Sequence, residues 1–163
     1  MLLQTMVELM GGRQVIKEPI GNSLDFMELC RCEQIPVDAL RSIGRLMNFT
    51  NKQMSDMLGI CERTLQRRFQ AQGTLSNDEA EKTFHIAKVI ARGMEVYGNL
   101  EDFSSFLHSA SRALGERKPI ELMCSSIGRD ELLHHLGRIE CIPSLYKPET
   151  SELPASWLPG YLE

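Results

Sequence analysis

Arg63, Gln66 and Arg67 recur at intervals of three and four in the stretch Glu62-Arg63-Thr64-Leu65-Gln66-Arg67-Arg68. That spacing puts the three side chains on one side of a helix. Arginine forks pair with guanine edges or with phosphates, and a glutamine amide pairs with adenine, so the chemistry they offer is base reading in a major groove. Arg63, Gln66 and Arg67 are expected nearest to bases, Lys52 and Arg68 nearer to phosphates, with Gln53, Glu62 and Thr64 beside them. Residues 50 to 72 hold four cationic side chains, Lys52, Arg63, Arg67 and Arg68, against two acidic ones, Asp56 and Glu62. The 163-residue chain has a formal net charge of −4. Binding to nucleic acid through global charge is thereby excluded, whereas a local basic patch is not.

Such residues need a scaffold, and the flanking sequence supplies one. A helix is predicted from Thr50 to Leu58, stopped by Gly59, and a second from Cys61 or Glu62 to about Ala71, stopped by Gly73. Small Ser55 lets the second helix cross closely, Gly59 takes the left-handed turn, and Ile60 and Leu65 plug the angle. This is the layout of a helix-turn-helix. From the residues alone the competing reading is an amphipathic helix hairpin with a solvated basic face.

The remaining chemistry-bearing residues form no constellation. His134 and His135 are adjacent and point in different directions on a helix, and neither His85 nor His108 sits in a ligand pattern. The five cysteines (Cys30, Cys32, Cys61, Cys124 and Cys141) are odd in number and lack the paired spacing of a zinc site, so free thiols are expected. With no phosphate loop, nucleophile elbow or catalytic dyad, no enzymatic activity, cofactor or metal is expected. No apolar run approaches a membrane span, and Glu8 follows the first residues where a signal core would lie, which predicts a soluble cytoplasmic protein.

Apolar residues recur at helical spacing almost throughout, which predicts an all-α fold. Residues 1–22, with Gly11, Gly12, Pro19 and Gly21, are expected to be an arm or a frayed helix more than core. Ser23 is expected to cap a short helix, and Pro36 to open the next over Val37, Leu40, Ile43 and Met47. Ser76-Asn77-Asp78-Glu79 is a capping box that starts a long helix ending near Gly98. Asn99 or Asp102 opens another, and the last spans roughly Ile127 to Glu140, with Arg129, Asp130, Glu131 and Arg138 as solvated polar faces. Phe84, Ile90, Met94, Phe103, Phe106, Leu122, Leu133 and Leu136 are expected to be mainly buried. Residues 143–163 hold four of the seven prolines, together with Tyr146, Trp157 and Tyr161. They predict an extended tail whose aromatic anchors either dock on a partner or fold back on the chain.

Three stretches resemble the Xre/MbcA/ParS group of antitoxins: Leu58-Gly-Ile-Cys-Glu-Arg-Thr-Leu-Gln-Arg-Arg68; Leu75-Ser76 with the long helix; and Ala113-Leu114-Gly115, Pro119-Ile120-Glu121-Leu122, Gly128, Leu136 and Arg138-Ile139. The resemblance covers about residues 36 to 142. Phe106-Leu107 stands where the group often has Trp-Leu, Cys61 replaces the usual serine cap, and Cys141-Ile142 replaces a common glycine.

The resemblance implies an Xre-like helix-turn-helix region (23–98), a toxin-binding domain (99–142) and a proline-rich tail (143–163). It further implies a homodimer that covers the active site of a RES-domain toxin, one that degrades NAD or uses it for ADP-ribosylation, and that represses its own operon. Leu114, Gly115, Arg117, Pro119, Arg129 and Arg138, with Tyr146, Trp157 and Tyr161 of the tail, are the implied toxin-binding residues. The alternative is a stand-alone dimeric transcription regulator. For a dimer, a palindromic operator follows, with recognition helices about 34 Å apart if the half-sites are one turn apart.

Overall fold

The structure, a computed structural model, describes residues 2–140. Among them are ten α-helices: α1 (Leu2–Leu9), α2 (Gly12–Val15), α3 (Ser23–Arg31), α4 (Val37–Met47), α5 (Asn51–Leu58), α6 (Glu62–Ala71), α7 (Asn77–Tyr97), α8 (Leu100–His108), α9 (Pro119–Leu122) and α10 (Ser126–Glu140). A 3-10 turn spans Arg112–Leu114. The described residues form no strand, only isolated bridges pairing Pro36 with Thr74 and Ser111 with Arg117.

Helix α7 is the axis on which the rest is assembled. Ser76 Oγ accepts from Glu79 N while Glu79 Oε2 accepts from Ser76 N, so the first free backbone donors are satisfied reciprocally. The helix runs for 21 residues, and Gly98, at φ 83°, closes it. Thr83, Ile86, Ala87, Val89, Ile90, Ala91 and Gly93 are all buried, so the helix has core on more than one side. Helices α1, α3, α8 and α10 all pack on it, and α5 touches its N-terminal half. Gly93 is required by its neighbour: a Cβ there would run into the ring of Phe103, which is fully buried.

The N-terminal segment overturns the expectation of an arm. Met6, Leu9, Met10 and Ile16 are all buried, and α1 lies along α7. Gly11 at φ 99° and Gly12 at φ 63° do not fray this segment; they turn the chain between α1 and α2, and Met10 before the turn and Ile16 after α2 are both buried. The cap of α3 also differs by one residue: Asn22, not Ser23, accepts from Leu24 N and Asp25 N and forms a capping box with Asp25. Pro36 is the residue just before α4.

Of the predicted core, Ile90, Phe103 and Leu136 are fully buried. Phe84, Met94, Phe106, Leu122 and Leu133 are only partly buried and pack against the core from its edge. Phe84 stacks on the buried Phe26 with ring centroids 4.3 Å apart. Phe106 lies between Tyr97 at 5.1 Å and His135 at 5.8 Å. The described cysteines are free thiols, and burial pushes the Cys30 thiol up to about 11, with Glu81 adding to the shift.

Candidate nucleic-acid interface and partner-binding region

Helices α5 and α6 are joined by the turn that the sequence predicts. Thr50 caps α5, with Gln53 N donating to its Oγ1 at 3.1 Å and Thr50 N donating to Gln53 Oε1 at 2.8 Å. Gln53 is therefore committed through its carbonyl oxygen to the start of α5. Ser55 is 2% exposed and donates to Lys52 O, keeping the crossing point small and its hydroxyl satisfied. Gly59 ends α5 at φ 72°, and Leu65 is fully buried beneath the turn, with Ile60 partly buried beside it.

At the start of α6 the residue Cys61 makes no side-chain cap to a backbone N–H. Its Sγ lies instead 3.0 Å from Thr64 Oγ1, a contact that lowers the thiol's pKa. Thr64 is thereby turned toward the cap and is partly buried. Glu62, Arg63, Gln66, Arg67 and Gln70 are all exposed. At positions i, i+1, i+4, i+5 and i+8 they make one continuous face. Gln70 was not among the sequence-derived candidates, although its spacing from Gln66 places it in the same stripe. Exposed Lys52, at the start of α5, adds a cation on the neighbouring helix.

Arg68 departs from its expected place beside phosphates. Its Nη1 lies 3.0 Å from Glu79 Oε2 and 3.2 Å from Thr74 O, so the guanidinium ties α6 to the first turn of α7. Two further cations hold the motif in place. Arg41 of α4 donates to Phe69 O at 2.6 Å, with its guanidinium 4.8 Å from the Phe69 ring centre, and Lys82 of α7 donates to Leu58 O at 2.9 Å. None of the three anchors Arg41, Glu79 and Lys82 was legible as such in the sequence.

The C-terminal half begins at Asn99, whose Oδ1 accepts from Asp102 N at 2.8 Å to cap α8. Ser111 N donates to Arg117 O, and Leu114 N and Glu116 N both donate to Ser111 O. Residues 111–117 therefore form a tight loop whose backbone is largely self-paired. Gly115, at φ 70°, and Arg117 are exposed on it, and Leu114 is partly buried.

Pro119 is buried at the start of α9, where its ring suits the first helical turn. Gly128 packs against the carbonyl of Leu122, an approach that a Cβ would obstruct. Arg129 contradicts the expectation of a solvated, partner-facing side chain: it is 5% exposed and donates through Nη1 to Met123 O at 2.7 Å, bracing the end of α9. Arg138 is exposed, as is Ile127 at 76%, an apolar side chain that the sequence reading did not single out. Tyr146, Trp157 and Tyr161 lie outside the described residues.

No group of histidine, cysteine and acidic side chains among the described residues is arranged to hold a metal ion. No helix among them is long and apolar enough to cross a membrane. No curated protein matches the chain. Two family models do: residues 33–88 match the antitoxin Xre-like helix-turn-helix domain, and residues 92–140 match the antitoxin Xre/MbcA/ParS C-terminal toxin-binding domain. The first match contains α4 to α6 and half of α7, and the second contains α8 to α10. With a helix-turn-helix and a toxin-binding domain in succession on one long helix, this chain belongs to the Xre/MbcA/ParS family of antitoxins.

Proposed function

We propose that this antitoxin acts as a homodimer which neutralises a RES-domain toxin, an enzyme that consumes NAD or uses it to ADP-ribosylate, by covering its active site, and which represses its own operon. The observation that carries the DNA-binding half is the exposed stripe of Glu62, Arg63, Gln66, Arg67 and Gln70, set on a helix that is held to the core by the buried Leu65 and the partly buried Phe69. Arg63, Gln66 and Arg67 reach base edges in this reading; Lys52 and the free amide nitrogen of Gln53 contact phosphates.

For the toxin, the exposed Gly115, Arg117 and Arg138 and the edge of Leu114 are the contact residues in the C-terminal domain. Tyr146, Trp157 and Tyr161 supply apolar anchors from the tail, residue types enriched at binding hot spots. Pro119 and Arg129 serve this surface from beneath, as braces.

Co-expression of the chain with its neighbouring gene tests the proposal. The expected result is a neighbouring product that is lethal alone, harmless with this chain and co-purified with it. A chain deleted of residues 143–163 should keep its melting temperature and lose toxin affinity. If no neighbouring product binds while the promoter is still recognised, the protein is a stand-alone regulator. On the promoter itself, an Arg63→Ala, Arg67→Ala double variant should lose about 2–6 kcal/mol of specific binding in an anisotropy titration, at about 1–3 kcal/mol per base-reading arginine. Unchanged affinity would remove α6 as the reader.

A further inference from the structure

The recognition helix α6 must hold its outward stripe at a fixed angle if three side chains are to meet base edges together, since small misplacements of a rigid reading head cost every contact at once. Its N-terminal end is fixed by the Gly59 turn and the buried Leu65. Its C-terminal end stops at Gln72, a non-glycine residue at φ 48°, where Arg41 of α4 donates to Phe69 O and a second restraint acts through Arg68.

That restraint is a carboxylate. Glu79 is 4% exposed, and its Oε2 accepts from Ser76 N at 2.9 Å while meeting Arg68 Nη1 at 3.0 Å. The same guanidinium reaches Thr74 O. A buried carboxylate without its cation is strongly unfavourable, so Arg68 cannot leave for a phosphate without stranding Glu79. The capping box of α7 is thus also the receptor for the last turn of α6.

We propose that the Arg68–Glu79 ion pair is the latch that sets the orientation of the reading face, with Glu79 a positioning residue for operator recognition and Arg68 its partner, not a phosphate contact. The inference rests on the reading of α6 as the operator-binding helix. It makes α7, which also carries the toxin-binding domain, the element that aims the DNA-binding surface.

Anisotropy titrations of the full chain on its own promoter and on a random duplex of equal length, over a range of salt concentrations, test the latch. Arg68→Ala and Glu79→Gln should each weaken promoter binding about tenfold while leaving the random duplex and the salt slope unchanged. The double variant should be no worse than either single one, because the two side chains act through each other, and Arg68→Lys should recover most of the loss.

If Arg68→Ala lowers the slope by about 0.9 and weakens both duplexes alike, Arg68 is a phosphate contact and the proposal fails. It fails equally if Glu79→Gln binds the promoter like the wild-type chain. Hydrogen exchange of the DNA-free chain separates this from a failure of operator binding itself. Amides of residues 66–74 should exchange faster in both single variants; unchanged exchange there overturns the latch, whereas a wild-type chain that ignores its promoter overturns the operator reading instead.

Discussion

His135 shows how position decides what a side chain does. It is 5% exposed and stacks on Phe106 with the ring planes 12° apart, whereas His134, its neighbour on α10, is exposed. Burial, and secondarily the charge of Arg138, lowers the pKa of His135 below its ordinary value. The folded protein therefore takes up this ring's proton at a lower pH than the unfolded chain, which protonates it near pH 6.5. Its contribution to stability is complete above that pH, begins to be lost as the pH falls through it, and stops changing below the lowered folded value. Thermal melts between pH 5.5 and 7.5 should show a smaller fall in melting temperature for a His135→Phe variant than for the wild type. A His135→Phe variant that tracks the wild-type profile would show that the folded protein takes up this proton as readily as the unfolded chain.

Two helices carry sharp tests of how local chemistry and packing combine. The N-cap of α6 is Cys61, whose side chain makes no helix-cap hydrogen bond. Serine is a strong cap because its hydroxyl accepts from the second or third helical N–H, so Cys61→Ser should stabilise the chain by about 0.5–1 kcal/mol in chemical denaturation. A loss of stability would mean that the Sγ–Thr64 contact is worth more than a proper cap. In α7 the critical residue is Gly93, chosen against helix propensity because the Phe103 ring occupies the space of a side chain. Gly93→Ala should therefore destabilise by about 1–3 kcal/mol, the cost of overpacking, although an exposed site would gain from the same change. Stabilisation by alanine would show that α8 can move away freely.

At the scale of the molecule, α1 packs on α7 and Met10 and Ile16 join the same core, so removing residues 1–16 uncovers apolar side chains that the fold keeps from water. That deletion should abolish cooperative thermal unfolding by circular dichroism, and a truncated chain that melts like the wild type would mark the segment as dispensable. Much of this architecture was legible in the sequence. Thr50, Ser76, Asn99, Gly59 and Gly98 mark helix ends through groups that act within four residues of themselves, so the sequence alone placed the helix-turn-helix, the long helix and the stripe of Arg63, Gln66 and Arg67. What a residue meets across the fold was not legible. Gly11 and Gly12 looked like signs of a loose arm, yet α1 is buried because α7 offers it an apolar face; Arg68 looked like a phosphate contact, yet it is drawn to Glu79 eleven residues on; Arg129 looked solvated, yet it is enclosed against Met123 O. Cap and turn signals are written in neighbouring residues, whereas burial and charge pairing depend on which helices come together, and only the tertiary structure decides that.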